Sequence, residues 1–299
     1  MISRDGVNRR RALKGVSGAV AFGALSTLAE LSRAGKEPDF YRAKNNHIHQ
    51  SVIYWCYKPM PVGELAMHAA RMGLKSVELV GPEHWPMLKK LGLVCAMTPT
   101  HGFKKGFARK EFHEECLESL RKAIDDSAEA NFPNVITFSG FRRGISDEEG
   151  MANMVDGLKR IIGHAEKKKV TICLEMLNSR VNIEMKGHPD YFCDKIEMAV
   201  EVCKQISSER MKVLFDIYHV QIMEGDIISR IKQHHPYIGH YHTGGVPGRG
   251  ELDDTQEINY SALMKTIAET GYRGYVGQEF IPTRDKIASL NEAVKLCDV

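Results

Sequence analysis

The stretch AEKKKVTICLEMLNSR, residues 165–180, runs from the lysine-rich end of a helix-like segment through a β-rich run to a glutamate and a polar loop. Residues i and i+2 of a strand share a face, so Thr171, Cys173 and Glu175 point the same way, with Glu175 last. The same unit recurs along the chain. Strands are predicted at HIHQSVI (47–53), SVELV (76–80), VCAMTP (94–99), NVITFSG (134–140), VTICLEM (170–176), KVLFDIY (212–218), IGHYHT (238–243) and YVGQEFI (275–281). Between them lie GELAMHAARMG, EFHEECLESLRKAIDDSAEA, EEGMANMVDGLKRIIGHAEKKK and DKIEMAVEVCKQISS, with apolar residues at three- and four-residue spacing, the pattern of amphipathic helices. Such alternation implies parallel strands with crossover helices. Eight strands in the ~265 residues after position 35 fit an α/β fold of the (β/α)8 TIM-barrel type, typically ~250 residues long. The rival, a doubly wound open sheet, would show G-x-G-x-x-G after its first strand, and SVIYWCYKPMPVGE has none. Without an internal repeat or linker, residues 40–299 read as one barrel domain.

The start of the chain differs. NRRRALKG is followed by GVSGAVAFGALSTLAEL, small and apolar up to Glu30. A basic segment before a short apolar one is the layout of an export signal, and Arg9-Arg10-x-x-Leu13-Lys14 resembles the twin-arginine type, although Ala12 stands where an aromatic is usual. Residues 1–35 are therefore expected to be a signal and the mature protein periplasmic; a packed first helix, and a cytoplasmic protein, is the alternative. A stable membrane anchor is not expected, because the run is shorter than the ~20 strongly apolar residues that span a bilayer.

The chain has 299 residues, 43% hydrophobic and 26% charged, with a formal charge of +3. No basic stripe with interleaved aromatics appears, so nucleic acid is not an expected partner. The seven cysteines show no C-x-x-C spacing and name no disulfide framework or zinc ribbon.

In a barrel, functional residues sit at the C-terminal ends of strands. Glu175 ends the fifth predicted strand on one face, Asp216 the sixth, His242 the seventh above Ile238 and His240, and Glu279 the eighth above Tyr275 and Gly277. Three carboxylates and an imidazole make a hard site suited to Mn2+, Mg2+ or Co2+. Such a cluster repels itself unless a cation is present. His240 lies one layer deeper and is expected to support or pack rather than ligate. His101 after the third strand and Glu78 at the end of the second face the mouth if the strand phases hold. Asn178, Glu184 and His188 fall in the loop after the fifth strand, expected to cover the site. Tyr54 and Trp55 are candidates for an apolar wall, with core packing as the alternative.

The segment GHYHTGGVPGRGELDD (239–254) is not a phosphate cradle, since no Lys-Ser/Thr follows its glycines. It is expected to be a flexible loop that brings Arg249 over a substrate, where a guanidinium can grip a carboxylate or hydroxyl.

Together, LEMLNSR, FDIYHVQ, GHYHTGGVPGRGE…EINY and GYVGQEF resemble the hydroxypyruvate isomerase branch of the xylose isomerase-like TIM barrels, relatives of the ketose 3-epimerases and inosose dehydratases. The resemblance runs from about residue 45 to the end, and D-I-Y-H-x-Q and V-P-G-R are its most specific motifs. It implies metal ligation by Glu175, Asp216, His242 and Glu279, with Glu175 and Glu279 also acting as catalytic acid and base. His219 resembles the family's contact to a substrate oxygen, and Arg249, Asn178, His188 and His101 complete the candidate substrate-binding set. The implied activity is divalent-metal-dependent aldose–ketose isomerisation of a small hydroxy-carbonyl or sugar substrate through a cis-enediolate, hydroxypyruvate giving tartronate semialdehyde. Two features depart from the isomerases: an export signal, and histidine at position 242, where they would carry glutamine and the epimerases carry histidine. The alternatives are a ketose 3-epimerase or keto-sugar isomerase on the same site, and, in another class, a noncatalytic exported sugar-binding barrel. A homo-oligomer is a further expectation from the relatives.

Overall fold

The structure is a computed structural model that describes residues 40–299; the segment read as an export signal lies outside the described residues. Seven parallel strands form one curled sheet: β1 (His49–Ile53), β2 (Ser76–Glu78), β3 (Asn134–Phe138), β4 (Thr171–Glu175), β5 (Met211–Asp216), β6 (Ile238–Thr243) and β7 (Tyr275–Gln278). Their order is β2-β1-β7-β6-β5-β4-β3. Strand β4 is buried at every position, as expected of a strand covered on both faces.

Helices α1 (Val62–Arg71), α2 (Trp85–Lys90), α3 (His113–Ala130), α4 (Asp147–Lys168), α5 (Ile196–Ile206), α6 (Ile217–Met223), α7 (Ile227–His234), α8 (Tyr260–Glu269) and α9 (Lys286–Cys297) lie between and after the strands. The longest, α4, has both ends written in its sequence. The Ser146 hydroxyl accepts from the Glu149 N–H at 3.1 Å, and Asp147, Glu148 and Glu149 oppose the positive end of the helix dipole. Lys167 and Lys168 sit at its negative end, before Lys169 turns left-handed at φ 60°.

The gap between β2 and β3 is where the strand predicted at 94–99 fails to form. That segment makes only two isolated parallel bridges, Val94 with Ser76 and Thr98 with Val135, which close the barrel at its eighth position. The physical reason lies at Ala96. Its N–H donates to Ser76 Oγ at 2.8 Å and its carbonyl accepts from Asn134 Nδ2 at 3.0 Å, so side chains interrupt the backbone ladder there, between the backbone bonds of Val94 and Thr98. The predicted strand 76–80 also ends early, because Leu79 takes φ 56°. The predicted 212–218 strand stops at Asp216, whose carboxylate Oδ1 accepts from the N–H of Tyr218 at 2.8 Å and of His219 at 3.3 Å and so starts α6.

All seven cysteines are buried free thiols. Among the described residues no helix is long and apolar enough to cross a membrane.

If side chains close the barrel at Ala96, Asn134→Ala should strand a buried carbonyl. The expected loss is about 1–3 kcal/mol of unfolding free energy in urea titration, and no loss would contradict this role.

Candidate active site

Four side chains meet at one end of the barrel. Glu175 closes β4, Asp216 closes β5, His242 is the penultimate residue of β6, and Glu279 follows β7. Asp216 is paired with His242 across the sheet, and His242 with Gly277. One donor atom from each of Glu175, Asp216, His242 and Glu279 lies within 4.8 Å of the others, and all four residues are buried. His242 Nδ1 is 2.8 Å from Glu279 Oε2 and 3.7 Å from Glu175 Oε1.

Room for this arrangement comes from Gly277. A Cβ there would lie 2.5 Å from Ile53 Cδ1, 2.9 Å from His242 Cδ2 and 3.2 Å from Glu78 Oε1. Any larger residue would push on the His242 ring.

Beneath the four, Glu78 ties the histidine pair together. Its Oε2 accepts from Nε2 of His240 at 2.9 Å and from Nε2 of His242 at 3.1 Å, while Oε1 accepts from Ser51 Oγ. Burial opposes ionisation of Glu78, yet His240 and His242 hold its carboxyl down to about 2. A carboxylate on Nε2 orients His242 with Nδ1 toward the other carboxylates, the arrangement usual for a metal-ligating histidine. His240 thus supports the site from below, one layer deeper than His242.

Arg249 enters from above. The loop that carries it folds back on itself, with Gly245 N donating to Gly250 O at 2.9 Å and Ile281 N to Arg249 O at 2.6 Å. The expectation of a flexible lead-in therefore needs correction: main-chain bonds pin this loop, and Arg249 is buried within it at φ 56°. Left-handed backbone is costly for a residue with a Cβ, and such strain concentrates at functional sites. The guanidinium Nη2 donates to Glu279 Oε2 at 2.7 Å and to Asp216 Oδ2 at 3.2 Å, and Nη1 donates to Met185 O at 2.7 Å. It lies 5.2 Å over the Trp55 ring and 5.4 Å over Tyr218.

These contacts separate the three carboxyl groups. Burial pushes Asp216 up to about 8, opposed by Arg249. Burial raises Glu175 as well, opposed by its contact with His242. Glu279 is buried too, but Arg249 and His242 hold it well below the usual carboxylate range. Trp55 Nε1 adds a third donor to Glu279, reaching Oε1 at 2.8 Å. Burial disfavours a charge on His242, yet the charge of Glu279 and the hydrogen bonds to Glu279 and Glu78 raise it well above the ordinary histidine value. Glu175 Oε1, in contrast, is buried with no hydrogen-bond partner.

The cavity beside the cluster has a volume of about 140 Å3 and is bounded by Glu175, Glu279, Arg249 and His188 on its polar side. Its apolar wall includes Leu79, Phe103, Phe138 and Met185. His188 packs on Phe103 with ring centroids 4.4 Å apart, and burial, then Arg249, push its imidazole down to about 4. Tyr54 and Trp55 form the turn after β1, where Trp55 borders the cavity and also binds Glu279.

The other candidates do not line this cavity. His219 is fully buried, with Nε2 3.6 Å from Asp216 Oδ2. Asn178 sits behind it, both amide hydrogens engaged, one by Lys186 O at 2.8 Å and one by His219 Nδ1 at 2.7 Å. His101 is occupied at both nitrogens, by Lys105 O at 3.0 Å and Thr137 Oγ1 at 2.9 Å. Neither Asn178 nor His101 thus presents a free hydrogen to the cavity. Glu184 is exposed. The Trp55 bond to Glu279 and the roles of Ser51 and Gly277 had no sequence signal beyond their place near strand ends.

Three carboxylates and one imidazole nitrogen within this radius are a donor set for a hard divalent cation, and the partnerless Glu175 Oε1 gives such an ion a free lone pair. The residues present fit the ion.

Two outcomes follow. Gly277→Ala should cost about 1–3 kcal/mol in denaturant titration, because the new methyl has no space between Ile53 and His242; an unchanged midpoint would contradict the packing. In a proton NMR titration His188 should stay neutral from about pH 8 to about pH 5, and a midpoint near the ordinary ~6.5 would refute its buried environment.

A family model described as a xylose isomerase-like TIM barrel matches residues 68–297. A putative hydroxypyruvate isomerase from Homo sapiens is 29% identical over 244 residues, covering 80% of this chain and 81% of that protein. A crystal structure described as an AP endonuclease of family 2 from Brucella melitensis superposes with TM-score 0.73 at 23% identity, over 81% of this chain and 97% of that one. The structure of an L-ribulose 3-epimerase gives TM-score 0.66 at 15% identity, over 84% and 91%. These two structures speak for the fold alone. With the closed parallel barrel and a match over most of its length, the chain belongs to the xylose isomerase-like TIM barrel family.

Proposed function

We propose that this protein is an isomerase that moves a proton between adjacent carbons of a small hydroxy-carbonyl substrate, with hydroxypyruvate to tartronate semialdehyde as the favoured reaction. The observation that carries the reading is the placement of two glutamates. Glu175 and Glu279 flank the Asp216–His242 pair, and both border the same cavity of about 140 Å3. A binding protein has no need of two carboxyl groups at one small cavity, so a noncatalytic sugar-binding barrel is disfavoured. The human relative's name, a putative hydroxypyruvate isomerase, supports the same choice.

When bound by Glu175, Asp216, His242 and Glu279, a divalent ion such as Mn2+, Mg2+ or Co2+ would polarise the substrate carbonyl and stabilise developing negative charge. The chain's own groups then do the proton work. One glutamate takes the proton from the carbon bearing the hydroxyl, leaving a cis-enediolate; the other gives a proton to the neighbouring carbon, while the hydroxyl proton passes to the former carbonyl oxygen. Trp55 and Arg249 keep Glu279 fixed by two donors, whereas Glu175 keeps one oxygen unbonded. Leu79, Phe103, Phe138 and Met185 keep water from the carbanion-like intermediate, and His188 borders the site as a neutral ring. The Arg249 guanidinium, already beside Asp216 and Glu279, would hold a substrate oxygen.

A second reading, a ketose 3-epimerase, is favoured by one feature: His242 occupies the position where the resembling isomerases carry glutamine. The same two glutamates would then work on opposite faces of one carbon.

Glu279→Gln should lower turnover about 10²–10⁴-fold while circular dichroism stays unchanged. Conversion of hydroxypyruvate, free ketohexoses and oxidised sugars, assayed side by side with Mn2+, separates the readings. Reaction of hexoses alone would remove hydroxypyruvate, and turnover surviving Glu279→Gln would remove the two-glutamate mechanism.

A further inference from the structure

His219 is fully buried against the carboxylate cluster, and its two ring nitrogens have opposite surroundings. Nδ1 faces two donors: the backbone N–H of Asn178 at 3.0 Å and the Asn178 side-chain Nδ2 at 2.7 Å. The orientation of that amide is settled by its other partners. Asn178 Oδ1 accepts from the Val181 N–H at 3.1 Å, and Nδ2 donates to the Lys186 carbonyl at 2.8 Å. A flipped amide would set oxygen against the Lys186 carbonyl and NH2 against the Val181 N–H, losing both bonds. The backbone donor cannot flip at all. Nδ1 therefore has to accept, and the ring proton belongs on Nε2.

Nε2 is buried without a hydrogen-bond partner and lies 3.6 Å from Asp216 Oδ2, too far for a bond. A buried donor left unsatisfied is costly and calls for an explanation. We propose that Asn178 is a positioning residue that locks His219 into the Nε2–H tautomer, so that His219 meets an oxygen of the bound substrate as a neutral hydrogen-bond donor. Asn178 thereby acts on chemistry it does not touch, since its side chain meets the imidazole and not the carboxylates.

A neutral donor suits an oxygen that gains charge during enolisation, because it stabilises the charge without giving up a proton to bulk solvent. The tautomer itself is independent of the function proposed above; the kinetic consequence rests on the isomerase reading, and the experiment keeps the two apart. Histidine-selective 15N NMR of the intact protein, with His219→Gln identifying the signals, should show His219 as a single neutral tautomer, proton on Nε2. A proton on Nδ1, or an even mixture, overturns the proposal whatever the protein catalyses. Asn178→Asp places an acceptor against Nδ1 and should move the proton there, or charge the ring. On the substrate found to react, this change should lower kcat about 10²–10³-fold with KM changed less than about threefold, the scale of losing one donor to a developing oxyanion. In the His219→Gln background the same substitution should cost less than about threefold, because its effect passes through the ring. A full additive loss in that background, or an unchanged tautomer in Asn178→Asp, contradicts the lock. Should Asn178→Asp fail to fold, the wild-type spectrum still decides.

Discussion

Three carboxyl groups and an imidazole crowd together at the barrel mouth where solvent hardly reaches, and much of the surrounding structure answers that repulsion. Like charges at such range in low dielectric cannot all persist without compensation. Arg249 lies against two of the carboxylates, Trp55 donates to one, and His242 bridges toward two. The net effect is uneven: Glu279 collects donors while Glu175 is left with an open lone pair. That inequality distinguishes two residues that the strand pattern alone presents as equivalent.

A fourth carboxylate, Glu78, works from the opposite side of His242. By holding Nε2 of both histidines it leaves Nδ1 of His242 directed to the mouth, and it does so across 162 and 164 residues of sequence. Gly277 gives the ring and Glu78 the space they need. The same logic recurs at His219, where Asn178 fixes one ring nitrogen and leaves the other facing the cluster. In both cases the residue that reaches the mouth is an imidazole, and the residue that decides what the imidazole can do stands behind it.

Much of the barrel was legible because pleating is strictly alternating. A two-residue period along VTICLE, KVLFD, IGHYHT and YVGQE puts Glu175, Asp216, His242 and Glu279 on one face, and parallel register brings those faces to one end. Sequence pattern could not reveal side chains doing the work of backbone. Ser76 and Asn134 take over the hydrogen bonds of Ala96, so a β-rich run at 94–99 makes bridges and no strand. Nor could it reveal which hydrogen of Asn178 is already spent, or that both nitrogens of His101 are engaged by Lys105 and Thr137. Position near a strand end suggests a role, while availability depends on contacts distant in sequence. The glycines around Arg249 suggested a mobile loop, whereas a short antiparallel bridge between Gly245 and Gly250 turns it back over the cluster.

The four-residue cluster has the donor set of a divalent-cation site. Anomalous diffraction at the manganese edge, from crystals of this protein grown with Mn2+, should show one strong peak among Glu175, Asp216, His242 and Glu279. An empty cluster under those conditions, or manganese found only elsewhere on the molecule, would contradict it.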